Sequence, residues 1–230
     1  MKNIKDLLEV ATTQFNNSFV SKEFSLMVPK NGNFEYETKV DILDSDDLEK
    51  TLNKVKALTV LKFEHRSEYH HLFEIGEGAV LCLVLIKNLA QVWIKIKSNT
   101  RVEIIGVHRI PFILREGDKF KPEDSGYKNA YKKIGSGKYF KSYNKECINY
   151  FFRYEELFYS LSLSLAYDQN NFRHTQMEFE YEGYLHGTKV PDKIDIMNNL
   201  EALLKNNFSY LLGRFSSETK YESLKSLNKY

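Results

Sequence analysis

Glu178-Phe179-Glu180-Tyr181-Glu182 is the stretch whose reading decides the fold. Side chains on a β-strand alternate between faces. Three carboxylates therefore share one face, while Phe179 and Tyr181 point the other way, into an apolar layer. Near the other end, Glu35-Tyr36-Glu37-Thr38-Lys39 repeats the pattern, with Glu35, Glu37 and Lys39 on one face. Like charges side by side on a strand repel each other. A face carrying three carboxylates needs cations, either hard divalent metals with oxygen ligands or Lys and Arg across a cavity.

Working outward, runs with strand character occupy 34–43, Leu58–Phe63, Tyr69–Ile75, Ala79–Ile86, Gln91–Lys97, Val102–Leu114, Ile148–Arg153, Phe158–Tyr167 and Gln176–His186. The gaps at Gly76/Gly78, Lys87-Asn88 and Ser98-Asn99 have hairpin length. Ser160, Ser162 and Ser164 alternate with Leu161, Leu163 and Leu165, which predicts a half-buried strand. Helical spacing predicts helices at 3–15, after a cap at Asp44 or Ser45, and after Pro191. Met197, Leu200, Leu204, Phe208 and Leu211 would line the last of these, with Gly213 as its C-cap, and the tail to Tyr230 reads as a further short helix. Residues 116–145 hold four of the eleven glycines and eight lysines against four acids, and read as a long basic loop. The expected class is α+β, mainly antiparallel β, with about eight strands closed into a barrel or packed as a sandwich. Residues 1–230 are expected to form a single domain.

The 230 residues carry 33 basic and 31 acidic side chains, a net charge of +2, which does not suggest bulk nucleic-acid binding and makes any basic site a local one. Cys82 and Cys147 lie in apolar strand runs and read as buried free thiols of a reducing compartment. No stretch reaches the ~18 apolar residues of a membrane span. The first residues lack the pattern of a signal peptide, so a cytoplasmic protein without a membrane partner is expected.

Metal and anion chemistry are the activities these residues suggest. If the two acidic strands are neighbours, their carboxylates converge on Mg²⁺ or Mn²⁺, which favour carboxylate and water ligands completed by substrate phosphates. Trp93, Lys95 and Lys97 share a face of one strand, and Arg66, Arg109, Arg115 and Arg153 lie in or beside strands. With Lys39 these bases would form an anion site, since Arg binds phosphate oxygens as a fork and Lys as a point charge. His70 and His71 are adjacent and face opposite ways, so they do not chelate together. No zinc spacing, P-loop, nucleophile elbow or Cys/His dyad is visible in the chain.

These residues resemble the CYTH superfamily of triphosphate tunnel metalloenzymes. The resemblance rests on Glu35, Glu37 and Lys39 as a Glu-x-Glu-x-Lys strand, on the late strand Gln176–Gly183 (QMEFEYEG), on Ser160–Asp168, and on the Lys-bearing strand Val92–Lys97. It covers 33–186 in patches. It implies an eight-stranded antiparallel tunnel that hydrolyses inorganic triphosphate, a nucleoside triphosphate or the 5′-triphosphate end of RNA with Mg²⁺ or Mn²⁺. It further implies Glu35, Glu37, Glu178, Glu180 and Glu182 as metal ligands. Lys39, Arg66, Lys95, Lys97, Arg109 and Arg153 would be the phosphate contacts, and Glu37, Glu180 and Lys39 would carry the chemistry. Where the family carries an Arg-x-Arg strand, this chain reads Val80-Leu81-Cys82-Leu83-Val84. The alternatives are a binding module without turnover, an adenylate cyclase of the same group, and a plain β interaction protein.

Overall fold

The computed structural model describes residues 19–30, 36–41, 45–76, 79–86, 91–97, 102–109, 138–167 and 173–212. Its elements are β1 (Met27–Pro29), β2 (Glu37–Asp41), α1 (Ser45–Ala57), β3 (Val60–Gly76), β4 (Ala79–Ile86), β5 (Gln91–Lys97), β6 (Val102–Arg109), β7 (Lys138–Tyr154), β8 (Leu157–Tyr167), β9 (Arg173–Leu185) and α2 (Lys193–Asn207). The class is mainly antiparallel β with two α-helices and two short 3-10 helices, Lys22–Leu26 and Ser209–Leu211, among the described residues. The helix expected at 3–15, the tail helix, Glu35 and residues 116–137 lie outside them.

The chain divides into two compact units. The first comprises 1–65, 148–165 and 174–230. In it, β1 and β2 both pair antiparallel with β9, and β9 continues through β8 to β7. The apolar face of β9 is buried: Met177 and Phe179 are fully covered and Tyr181 nearly so. Phe208, the C-cap of α2, lies against that face, its ring 4.8 Å from that of Phe179. Asp192 caps α2 by accepting from the Asp195 backbone N–H at 2.8 Å, and the Asp195 carboxylate accepts in return. The Thr51 hydroxyl joins α1 to the Tyr210 hydroxyl at 2.7 Å.

The second unit comprises 66–147 and 166–173. Its sheet runs β7-β3-β4-β5-β6. Strand β4 is buried from Val80 to Ile86, as its near-continuous apolar run requires.

Several sequence expectations are corrected. Leu58–Phe63 and Tyr69–Ile75 belong to one strand, β3, because His65-Arg66-Ser67 holds no Gly or Pro to break it. The basic loop does not extend to 145, since β7 starts at Lys138. Tyr143 and Lys145 are buried there despite the basic composition, because Lys145 neutralises a buried carboxylate. Strand β8 is buried on both faces, so its serines are not solvated. Three-residue β1 was too short to register as a pattern. In α2 the buried side is Ile196, Leu200, Leu203 and Leu204, with Met197 exposed. Pro191 precedes the cap, and the helix ends at Asn207 with Phe208 as its C-cap, well before Gly213.

Candidate functional site: the acidic face of β2 and β9

The two acidic strands are neighbours. Glu37 stands opposite Glu180, Thr38 opposite Phe179, and Lys39 opposite Glu178. Directly opposed residues of an antiparallel pair project to the same side. The register therefore gathers Glu37, Lys39, Glu178 and Glu180, with Glu182 next along β9, on one face. Tyr36, whose backbone oxygen accepts from Tyr181 N–H at 2.9 Å, belongs to the other face, where the two rings pack edge to face.

Cations sit on these carboxylates. Lys39 is ion-paired to Glu37, two residues away on its own strand. Lys30, just beyond β1, is ion-paired to Glu180, and its Nζ lies 4.0 Å from Glu182. All five side chains whose pairing is described here, Lys30, Lys39, Glu37, Glu180 and Glu182, are only about one-fifth to one-quarter exposed. The face is lined further by hydroxyls of β8 and an amide of β7. Ser160 donates to Glu182 at 2.6 Å, Ser162 to the Asn149 side chain at 2.5 Å, and Ser164 to the Gln176 carbonyl at 3.4 Å. Asn149, Ser160 and Ser164 are each no more than 2% exposed, so this polar layer is covered.

Four carboxylates with hydroxyl neighbours are the right donor type for a hard divalent ion and the wrong one for zinc. Among the described residues, no three His, Cys, Asp or Glu side chains are close enough to enclose an ion. Lysine ammonium groups neutralise these carboxylates instead. The donor set fits such an ion in kind, and the ion would take over neutralisation from Lys30 and Lys39.

The expected phosphate contacts are not all brought to this face. Lys39 is on it. Arg66 lies in the second unit, 3.3 Å from buried Glu68. Arg153 is exposed and pairs with Glu23 at 3.0 Å. Lys95 and Lys97 occupy alternate positions of β5, opposite Cys82 and Val80 of β4, and Arg109 ends β6 opposite Gln91. Lys30 was missed by the sequence reading. It stands alone after Pro29, and only pairing of β1 with Gly183–Leu185 carries it to the acidic strand. The Cys/His dyad that the chain does not display also exists: Cys82 and His70 are brought together across the β3–β4 hairpin.

No family model matches this chain, and no curated protein matches it. Solved structures do. The PH1012 protein of Pyrococcus horikoshii OT3 is 12% identical with a TM-score of 0.51, covering 81% of this chain and 96% of its own. A conserved hypothetical protein from Pyrococcus furiosus is 12% identical with a TM-score of 0.50, covering 82% and 99%. The capping enzyme triphosphatase of Mimivirus is 12% identical with a TM-score of 0.41, covering 90% and 98%. At 12% identity, the likeness to the two Pyrococcus proteins is one of fold alone. Among the described residues no helix is long and apolar enough to cross a membrane.

Proposed function

We propose that this chain is a tunnel-type phosphohydrolase acting on a triphosphate-bearing substrate, an inorganic or nucleoside triphosphate or an RNA 5′ end. The observation that carries this reading is the register that sets Glu37 against Glu180 and Lys39 against Glu178 on one covered polar face. In this reading the described strands close into a single tunnel domain in the cytoplasm, with the acidic face inward.

Glu37, Glu178, Glu180 and Glu182 would hold Mg²⁺ or Mn²⁺, with Glu35 as a further ligand. When bound, the ion supplies charge neutralisation and Lewis acidity at the terminal phosphate. The chain's own residues do the rest. Lys39 and Lys30 move from carboxylate to phosphate oxygens and neutralise charge developing on the leaving group. Lys95, Lys97, Arg66, Arg109 and Arg153 are the further candidates for holding the chain of phosphates. Ser160 keeps Glu182 oriented, and the covered hydroxyl layer limits the water that reaches the face. Glu180 or Glu37 accepts a proton from the attacking water.

The test is phosphate release from inorganic triphosphate, ATP and 5′-triphosphate RNA, each with Mg²⁺ or Mn²⁺. Glu180→Gln, which keeps shape and removes charge, is expected to cut release ~100-fold or more, as removing one charge-stabilising group does elsewhere. Release that is metal-independent or unchanged in Glu180→Gln overturns the assignment. Binding without release would make the chain a polyphosphate-binding module.

A further inference from the structure

The second unit contains a polar cluster that the reading above does not use. Glu68, His70 and Cys82 are all buried, at 5%, 5% and 1% exposure. The His70 ring stands between the other two. Its Nε2 is 2.7 Å from Glu68 Oε2, and its Nδ1 is 3.4 Å from Cys82 Sγ. Burial alone would raise the Glu68 carboxyl, but Lys145, His70 and Arg66 outweigh it and hold that carboxyl well below its usual range. Lys145 Nζ is 3.7 Å from Glu68 and Arg66 Nε is 3.3 Å. Glu68 is therefore a carboxylate at neutral pH and accepts only. Nε2 carries the hydrogen it donates to Glu68, and in the neutral ring Nδ1 is the acceptor facing the thiol. The Tyr143 hydroxyl, 3.2 Å away, competes for the same lone pair, and its ring stacks on the imidazole at 4.7 Å.

We infer that Cys82 is a base-activated thiol, served by His70 and oriented through Glu68, and that it is a modification site for small uncharged hydroperoxides. Nucleophile, base and orienting carboxylate lie in series, the arrangement that activates thiols on unrelated folds. Burial restricts the reagent to a small neutral one, which a hydroperoxide is. His70 Nδ1 takes the thiol proton, and the sulfur attacks one peroxide oxygen. The O–O bond breaks and the sulfur becomes a sulfenic acid. The departing hydroxide or alkoxide takes the proton from the imidazolium and leaves as water or alcohol. Cys147, also buried and free, is the internal reference.

The experiment treats the folded full chain with hydrogen peroxide, traps sulfenic acid with dimedone, and quantifies both cysteines by peptide mass spectrometry. Cys82 is expected to react ~10-fold or more faster than Cys147. His70→Gln is expected to lower the Cys82 rate to that of Cys147, with circular dichroism verifying the fold. Tyr143→Phe, which removes the competing hydroxyl, is expected to raise it, an effect that a purely structural hydrogen bond would not produce. Equal rates at the two cysteines, or no reaction at either, overturn the proposal. So does an unchanged Cys82 rate in folded His70→Gln. If His70→Gln does not fold, a Cys82 rate in Tyr143→Phe that fails to rise overturns it.

Discussion

Lys30 lies on the Glu180 carboxylate from a position 150 residues earlier in the chain. The ion pair ties the end of β1 to the acidic face of β9, and the same ammonium reaches Glu182. Carboxylates this close would otherwise repel one another.

Lys30→Ala is accordingly expected to destabilise the protein modestly, by about 1 kcal/mol, because a partly exposed pair is worth little in water. Calorimetry should show the loss growing as salt is lowered. If the acidic face takes a divalent ion, Mn²⁺ should raise Tm more in Lys30→Ala than in the parent. An equal shift in both would place ion binding elsewhere.

Gly183 is the point where β1 needs a missing side chain. A Cβ there would come within 2.3 Å of the Val28 carbonyl oxygen and 2.9 Å of Met27 Cγ. The backbone oxygen cannot move without breaking the pairing of β1 with β9. Gly183→Ala is expected to cost roughly 1–3 kcal/mol in urea unfolding, as overpacking does. Gly187, at φ 88° with open space around it, should on the same change cost only the backbone strain of an L residue at positive φ, about 1 kcal/mol.

Phe179 separates the roles of the two faces of β9. It is fully buried against Phe208 of the segment following α2. Phe179→Ala should cost about 3–5 kcal/mol, measured as a lower urea midpoint. At a temperature where the variant stays folded, phosphate release should survive, because this side chain points away from the carboxylates.

Acid should weaken the fold in two stages. Burial lowers His71 from 6.5 to about 4, and the Ser142 hydroxyl stands 2.9 Å from its Nδ1. Between those values the unfolded chain binds the proton and the folded chain does not, so stability falls as pH drops through that window. The full shift corresponds to at most about 3 kcal/mol. Glu68, depressed below the ordinary carboxylate value, adds a further loss at lower pH. Unfolding free energy measured from pH 7 to 4 should therefore decline, and His71→Asn should flatten the curve above pH 4.5.

Much of the fold was legible because it is written locally. Alternation marked both acidic strands, and the apolar run marked β4. Where local pattern misled, burial of polar groups was the cause. Ser160, Ser162 and Ser164 look solvated in sequence, yet each is covered and hydrogen-bonded. Lys145 sits in a basic stretch that reads as loop, yet its ammonium serves Glu68. Composition reports the usual fate of a residue type, whereas a specific partner reverses that fate.

The sequence by itself determined which side chains share a face, because the two-residue period of a strand is a property of the backbone. It determined the chemical character of the acidic face for the same reason. Only the tertiary structure decided that Glu37 opposes Glu180, that Lys30 is the counter-ion of Glu180, and that His70 meets Cys82 across a hairpin. Those are matters of strand register and of chain segments far apart in sequence, and register is set by the sum of packing across the whole sheet.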